Sequence, residues 1–482
     1  MSKSARILSV FLMLCMLFST MIACSKDDIE DASDDAEYIA DDEASKDASG
    51  APTPIMDDFG GYQFKVLTRG SGMYKSDDIT GDMTGNVLSL ATYQRNAALE
   101  SKYNFTIVES KEKDWNSVAT KLGQAGQYQY DMWSFKMADM PSHGQEGHIY
   151  NLNEVAGINL DASYYDQTTR ESVSFANYLF FITGDMLYMD DLAISCVLYH
   201  PTLWKDLKCS EVYDKDIYTL VKDGEWTLEA FKTIAALAPK DINGDGKYDD
   251  ENDRWGCGYA NGDIFTLSVA LGNHVVEKDA NDVFYLNDGE KIISDLQNIF
   301  AFFNSPSCIK DGTYTTGLHL FQILQLANGT GPNSPIRKAG IEYGIVPPPK
   351  ANATDGWYRS YVSAYTANCI AIPSTLKGAD LDKAANIIEL VSYESQSTTV
   401  PKLSEYLFGN VSKHASDVEM IEILKETRTY ENAYIWSTGS IYSTLIDLNL
   451  AGGEGIKSAF ETSKQAVEDS VARKLQRLQQ LG

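Results

Sequence analysis

The stretch DINGDGKYDDEND, from Asp241 to Asp253, sets hard oxygen donors at alternating positions. Counted from Asp241, the side chains of Asp241, Asn243, Asp245 and Asp249 and the backbone carbonyl of Lys247 follow the spacing of an EF-hand-type loop, with Gly246 at its sharp turn. The departure is Asn252, which stands where the pattern wants a bidentate acid. Asp253 lies one residue late and is expected to come round in its place. The spacing predicts a calcium-holding turn. Covalent chemistry has no comparable signature: the chain contains no GxSxG elbow, HExxH pair, phosphate-binding Walker loop or GxGxxG turn. His143, His148, His200, His274, His319 and His414 are scattered without metal spacing. No catalytic residue and no enzyme activity are expected. A glycoside hydrolase needs only two carboxylates at no fixed spacing in sequence, so a secreted hydrolase and a surface scaffold stand as the rival classes to a binding protein.

A binding cleft needs flat rings for the apolar faces of a ligand, and carboxylates and amides for its polar groups. The chain has 28 tyrosines, 18 phenylalanines and 7 tryptophans to build one. In open α/β sheets such groups come from loops at the carboxyl ends of strands. Alternating Tyr62, Phe64 and Val66 in YQFKVLT predict a first strand, YNFTIVES a second and YDMWSF a third, with helical sequence between them. That order implies a parallel sheet with crossover helices. Further sheet is expected over 178–199, mostly helical or irregular chain from there to about Thr330, and a strand–helix return through EYGIVPPPK and KAANIIELV, with Ile387, Ile388 and Val391 inward. Thr227, followed by Glu229, should cap a helix that stops before Pro239, and Ser458 with Glu461 has the spacing of a capping box opening the last helix. Arg69, just past the first strand, and Trp357 and Tyr358 in GWYRSY are candidate ligand contacts on position alone. Trp226 and Trp255 flank the acidic loop and are expected to pack.

The formal charge of −28 over 482 residues argues against nucleic acid or an anionic membrane surface as partner. Lys3 and Arg6 precede the apolar run Ile7–Ile22, and small Ala23 then precedes Cys24. This predicts an export signal over 1–23, and MIAC resembles the bacterial lipobox, whose Cys carries lipid. Between Ser25 and Pro54, eleven acids stand against Lys26 and Lys46 with almost no large apolar side chain. That composition predicts a disordered tether over 24–59, holding a folded body about 30 Å from a membrane. Cys196, Cys209, Cys257, Cys308 and Cys369 show neither zinc spacing nor a disulfide framework.

The run VLYHPTLWKDL, then VKDGEWTLEAFKTIAALAPKDINGDGKYDDENDRWG, then YGIVPPPK and NCIAIPSTLKGADLDKAANIIEL resembles the extracellular solute-binding proteins, family 1, of bacterial ABC importers, relatives of maltose-binding protein. The likeness spans Tyr62 to Arg473. It implies an α/β, two-lobe periplasmic-binding-protein-like fold of type II, with a hinge and a central cleft. One lobe would take 60–180 and 356–400, the other 181–355 and 401–482. The implied function is capture of a carbohydrate, an oligosaccharide, and delivery to a membrane permease by a monomeric lipoprotein on the extracellular face. The resemblance also implies ligand contacts at Trp133, Phe135 and Asp139, at Asp190 and Asp191, at Asn261, Asp263 and Phe265, and at Tyr434 and Trp436. It places the calcium loop on the surface of one lobe, as a staple and not a ligand contact.

Overall fold

The computed structural model describes residues 52, 54–71, 76–330, 334–410 and 415–481. The expected export signal, Cys24, nearly all of the tether ahead of residue 54, and His414 lie outside the described residues.

Strand β1 (Tyr62–Arg69) buries Phe64 and Val66 as the alternation requires. It lies between β2 (Phe105–Glu112) and β3 (Met132–Ser134), parallel to both, with Tyr62 opposite Phe105 and Val66 opposite Met132. Helices α1 (Val87–Tyr103) and α2 (Trp115–Ala125) make the crossovers. Asn86 starts α1 by accepting the N–H groups of Leu88 and Ser89, which satisfies two donors that the first turn leaves over. Because the strands are parallel, Arg69, Trp115 and Lys136 all emerge at one edge of this sheet. Chain from far downstream rejoins it through antiparallel bridges of Trp133 with Ala371, Lys136 with Asn368 and Ile182 with Ile370. The following helix, Gly378–Ser397, buries Ile387, Ile388 and Val391 as expected.

The second sheet has the order β10-β4-β9-β5-β8. Its strands are β4 (Ser195–Tyr199), β5 (Trp255–Tyr259), β8 (Cys308–Lys310), β9 (His319–Gln325) and β10 (Gly344–Val346); β6 (Val276–Lys278) and β7 (Phe284–Leu286) form a separate hairpin. β5 runs parallel to β8 and β9, while β4 is antiparallel to β9 and β10. The chain up to Thr330 is mostly helical or irregular, as expected, but β5 to β9 inside it were not foreseen. WGCGY is buried throughout and HLFQILQ all but its last residue, so neither shows the in–out alternation by which a half-exposed strand is recognised.

Between the sheets, stretches of chain run side by side: β11 (Ser360–Tyr361) pairs in parallel with β12 (Arg428–Thr429), and Val362 bridges Ile194. Thr227 caps the helix Leu228–Ala235, its hydroxyl accepting Ala230 N–H, as its position predicts. The last helix starts at Ile456 behind left-handed Gly455, two residues ahead of the expected capping box. Its Phe460, Val467, Val471 and Leu478 are buried. The five cysteines of the body are buried and free.

Candidate ligand-binding cleft

At the edge of the first sheet, the Arg69 guanidinium lies over the rings of Trp115 and Tyr365, 4.9 and 5.3 Å from their centroids. Its Nη1 donates to the Tyr365 carbonyl at 3.0 Å. Trp115 Nε1 donates to Asp139 Oδ2 at 3.0 Å, and Asp139 Oδ1 sits 2.7 Å from Lys136 Nζ. Lys136 in turn lies 5.6 Å from the Tyr365 centroid. Tyr365 keeps 48% of its surface exposed. The group is therefore an aromatic platform flanked by cations and locked by one carboxylate.

The short helix Asn432–Ile435 packs against the turn Met137–Asp139 and brings up Tyr434. Burial, with Asp139 and Tyr365 nearby, pushes the Tyr434 phenol up to about 12, so it remains a hydrogen-bond donor at neutral pH. Its ring meets Tyr442 at 4.6 Å, and Tyr442 stacks on Phe265 at 4.3 Å with the planes 13° apart. Phe265 belongs to the helix Asp263–Ala270, which follows β5. Packed rings thus lead from Tyr434 to the helix that follows β5.

At the carboxyl edge of the second sheet lies a cavity of about 350 Å³, lined by Ala260, Asp263, Asp311, Thr313, Gln322, Gln325 and Asn328 among others. Asp263 accepts Ala260 N–H at 2.7 Å, yet burial outweighs that bond and raises its carboxyl to about 7. Asn261 Oδ1 and Asn328 Oδ1 are buried without a hydrogen-bond partner among the described residues. Acceptors of that kind suit the hydroxyls of a sugar. A larger groove of about 590 Å³ separates the β6–β7 hairpin from the last helix. Its walls combine Phe284, Leu286, Val467, Val471 and Leu475 with charged groups and one amide, Asn287, whereas the sheet-edge cavity has three amides, Gln322, Gln325 and Asn328.

Of the residues expected to meet ligand, Arg69, Asp139, Asn261, Asp263 and Tyr434 fall in or beside this region, whereas Phe265 is corrected: its ring is fully buried against Tyr442 and presents no face to a ligand. Three others are corrected. Trp133, Phe135 and Trp436 are core side chains, each 2% exposed or less. Trp133 packs between Phe135 and His143, and Trp436 is held by Phe175, Phe180 and Phe284, with Nε1 donating to the Val173 carbonyl at 3.0 Å. Asp190 and Asp191 are corrected also, because Asp191 belongs to an ion network and Asp190 is buried beside it. Asp191 accepts Arg428 Nη1 at 3.0 Å and pairs with Lys425 at 3.6 Å; burial, then the charge of Asp191, pushes Asp190 well up. Tyr358 is tied to the Val221 carbonyl at 2.9 Å, and Trp357 stands 73% exposed beside it. Trp115, Tyr365, Tyr442, Gln322 and Asn328 were not foreseen. Trp115 had a signal: it follows β2 just as Arg69 follows β1.

In the acidic loop, Asp241 accepts the N–H groups of Gly244 and Gly246 at 2.6 and 2.9 Å, and Asp245 accepts that of Lys247 at 2.8 Å. Buried Asp253 turns onto the loop's own backbone, its oxygens accepting Ile242 and Asp249 N–H at 2.9 Å each. Among the described residues no three His, Cys, Asp or Glu side chains converge as a metal cage. Asp249 Oδ1 accepts the N–H groups of Glu251 and Asn252 and the Asn252 amide, at 3.0, 2.8 and 3.1 Å, so the lone pairs left for a hard cation lie chiefly at Asp241 and Asp245.

Solved structures share this architecture. The maltose/maltodextrin-binding domain MalE of Bdellovibrio bacteriovorus, bound to maltotriose, is 13% identical with a TM-score of 0.53, covering 85% of this chain and all of its own. UgpB of Mycobacterium tuberculosis, in complex with glycerophosphocholine, is 15% identical with a TM-score of 0.54, covering 86% of this chain and 100% of its own. The ABC substrate-binding protein Lmo0181 of Listeria monocytogenes, in complex with cycloalternan, is 9% identical with a TM-score of 0.54, covering 86% and 99%. No protein-family model matches the chain, and no curated protein matches it. The fold is the two-lobe α/β fold of ABC substrate-binding proteins, and the resemblance seen in the sequence holds at the level of fold.

Proposed function

We propose that this chain is the lipid-anchored, extracellular substrate-binding protein of an ABC importer, and that its lobes close by a hinge on an oligosaccharide. The observation that carries the reading is the set of rings at the sheet edges, Trp115 and Tyr365 at one and Tyr434 with Tyr442 toward the other, together with a cavity lined by amides and hydroxyls. Rings cover the apolar faces of sugar units, and amides answer their hydroxyls. The side-by-side stretches at Ile194, Val362 and Arg428 supply the hinge. Lobes over 60–180 with 356–400 and over 181–355 with 401–482 accord with the two sheets, although the helix Thr399–Asn410 packs against α1. The bound compound leaves unaltered to a membrane permease, and no catalytic residue is assigned.

Titration calorimetry with maltotriose, maltotetraose, cycloalternan and glycerophosphocholine tests the reading. Saturable heat with a saccharide, and no release of reducing ends, is expected. Turnover of a saccharide would replace the importer reading with the hydrolase one. The anchor is Cys24, and Cys24→Ala should abolish fatty-acid incorporation and release the protein from cells. A structural calcium ion is held at Asp241, Asn243, Asp245, Asp249 and the Lys247 carbonyl, with Asp253 clasping the loop; fluorescence or calorimetric titration with calcium tests it.

A further inference from the structure

Two of the buried cysteines face each other across a strand pair. Strands β5 and β8 run parallel, with Cys257 opposite Cys308 and Tyr259 opposite Lys310. Residues paired in this way point to the same side of the sheet, on strands roughly 4.8 Å apart. A disulfide takes Cα atoms about 4.4–6.8 Å apart. The Ser307 carbonyl accepts the N–H groups of both Gly256 and Cys257 at 2.9 Å, which fixes the register beside the thiols. Burial pushes the Cys257 thiol well above its ordinary range, and the Cys308 thiol, hydrogen-bonded to it, adds to the shift. The other cysteines have no such partner in register: Cys196 stands on β4, with β9 between it and Cys257, and Cys369 donates to the Phe135 carbonyl at 3.7 Å.

Both strands end at the cavity of about 350 Å³. Ala260 and Asp263 follow β5 in its wall, and Asp311 and Thr313 follow β8. One backbone hydrogen bond ties the two ends, Asp311 N–H donating to the Tyr259 carbonyl at 2.7 Å. A covalent link between the sulfurs lies just below that tie and holds both halves of the wall.

We infer that Cys257 and Cys308 are joined as a disulfide in the exported protein, and that this bond clamps the two strand ends that wall the cavity. The inference depends on the export proposed above and not on the nature of the ligand. The oxidant is a disulfide of the medium. One cysteine thiolate attacks it and releases a thiolate, and the second cysteine then displaces the other half from the mixed disulfide. Two cysteine thiols become one disulfide, and the oxidant takes up their two electrons and two protons and leaves as two thiols. Because the thiolate is the attacking form and burial suppresses it in the folded chain, the bond forms while β5 and β8 are coming together. The same burial then shields it from reductants.

The test is peptide mapping by mass spectrometry without reductant, on the full chain alkylated as it is isolated from producing cells, and on the same chain reduced, unfolded and refolded with oxidised glutathione. A linked Cys257–Cys308 peptide is expected in both samples, with Cys196, Cys209 and Cys369 alkylated. The linked form should melt about 5 °C or more above the form refolded in dithiothreitol. Its amide exchange over 259–263 and 311–313 should be slower by about threefold or more. Cys257→Ser should abolish both differences, and Cys308→Ser serves equally should that variant fail to fold. Free thiols at both positions in both samples, or links to other cysteines, overturn the inference. A link that forms on refolding but is missing from the isolated protein overturns the export reading and leaves the pair standing. Equal exchange in the linked and reduced forms overturns the clamp.

Discussion

The aromatic cluster around Trp436 and the aromatic run of the cleft are made of the same residue types and do opposite work. Around Trp436 the rings of Phe175, Phe180 and Phe284 close in at 5.2 to 6.4 Å and leave 2% of the indole exposed. At the cleft, Tyr365 is braced from one side by Arg69 and Lys136 and presents nearly half its surface. A ring covered all round stabilises the fold. A ring held in place with one side open is ready for a partner, because the entropy of orienting it has already been spent within the folded protein.

Trp436→Ala should give the largest effect, about 3–5 kcal/mol of lost stability from the cavity it leaves, read by denaturant unfolding. Weakened saccharide binding without loss of stability would return Trp436 to the site and break the contrast. Calcium at a hundredfold excess over its dissociation constant should add about 2.7 kcal/mol. Chelation should therefore lower the melting temperature while changing maltotriose affinity little; the reverse ranking would make the acidic loop part of the cleft. Tyr365→Ala should weaken maltotriose binding by about tenfold, near the upper range for one aromatic contact, with unfolding almost unchanged. A smaller effect is expected from Asp263→Asn. Burial raises the Asp263 carboxyl to about 7 from an ordinary 3.8, so the folded state binds the proton more tightly than the unfolded one. Its contribution is present at low pH and is lost as pH rises through 7, and Asp263→Asn should flatten the dependence of melting temperature on pH between about 4 and 7. Buried His143, lowered to about 4, pulls the other way over the same range, so the variant's slope must be compared with the wild type's. Trp357→Ala should move stability by less than about 0.5 kcal/mol and affinity not at all; a loss of binding would bring that exposed indole into the cleft.

Much of the scaffold was legible. Phe64 and Val66 alternate because β1 has a buried and a less buried face, and Thr227 announces a helix because its hydroxyl answers an amide three residues on. Among the site residues, Arg69 was found by one rule, that parallel strands deliver side chains at their carboxyl ends, and the same rule applied to β2 would have found Trp115. Trp133, Phe135 and Trp436 misled for a physical reason: an aromatic side chain looks alike in sequence whether neighbours cover one of its faces or both. The buried strand HLFQILQ misled in the complementary way, since a strand packed on both faces has no alternation to read.

The sequence by itself determined what short-range forces control: strand and helix order in the first lobe, the caps, the turn chemistry of residues 241–253, and the acidity that argues against a polyanion as partner. Only the tertiary structure decided which groups meet. Arg69 finds the Tyr365 carbonyl across 296 residues, and Asp191 finds Arg428 across 237. Coverage of a ring and pairing of a charge depend on chain brought from such distances. No local pattern encodes them, because packing chooses the partner only after the sheets have formed.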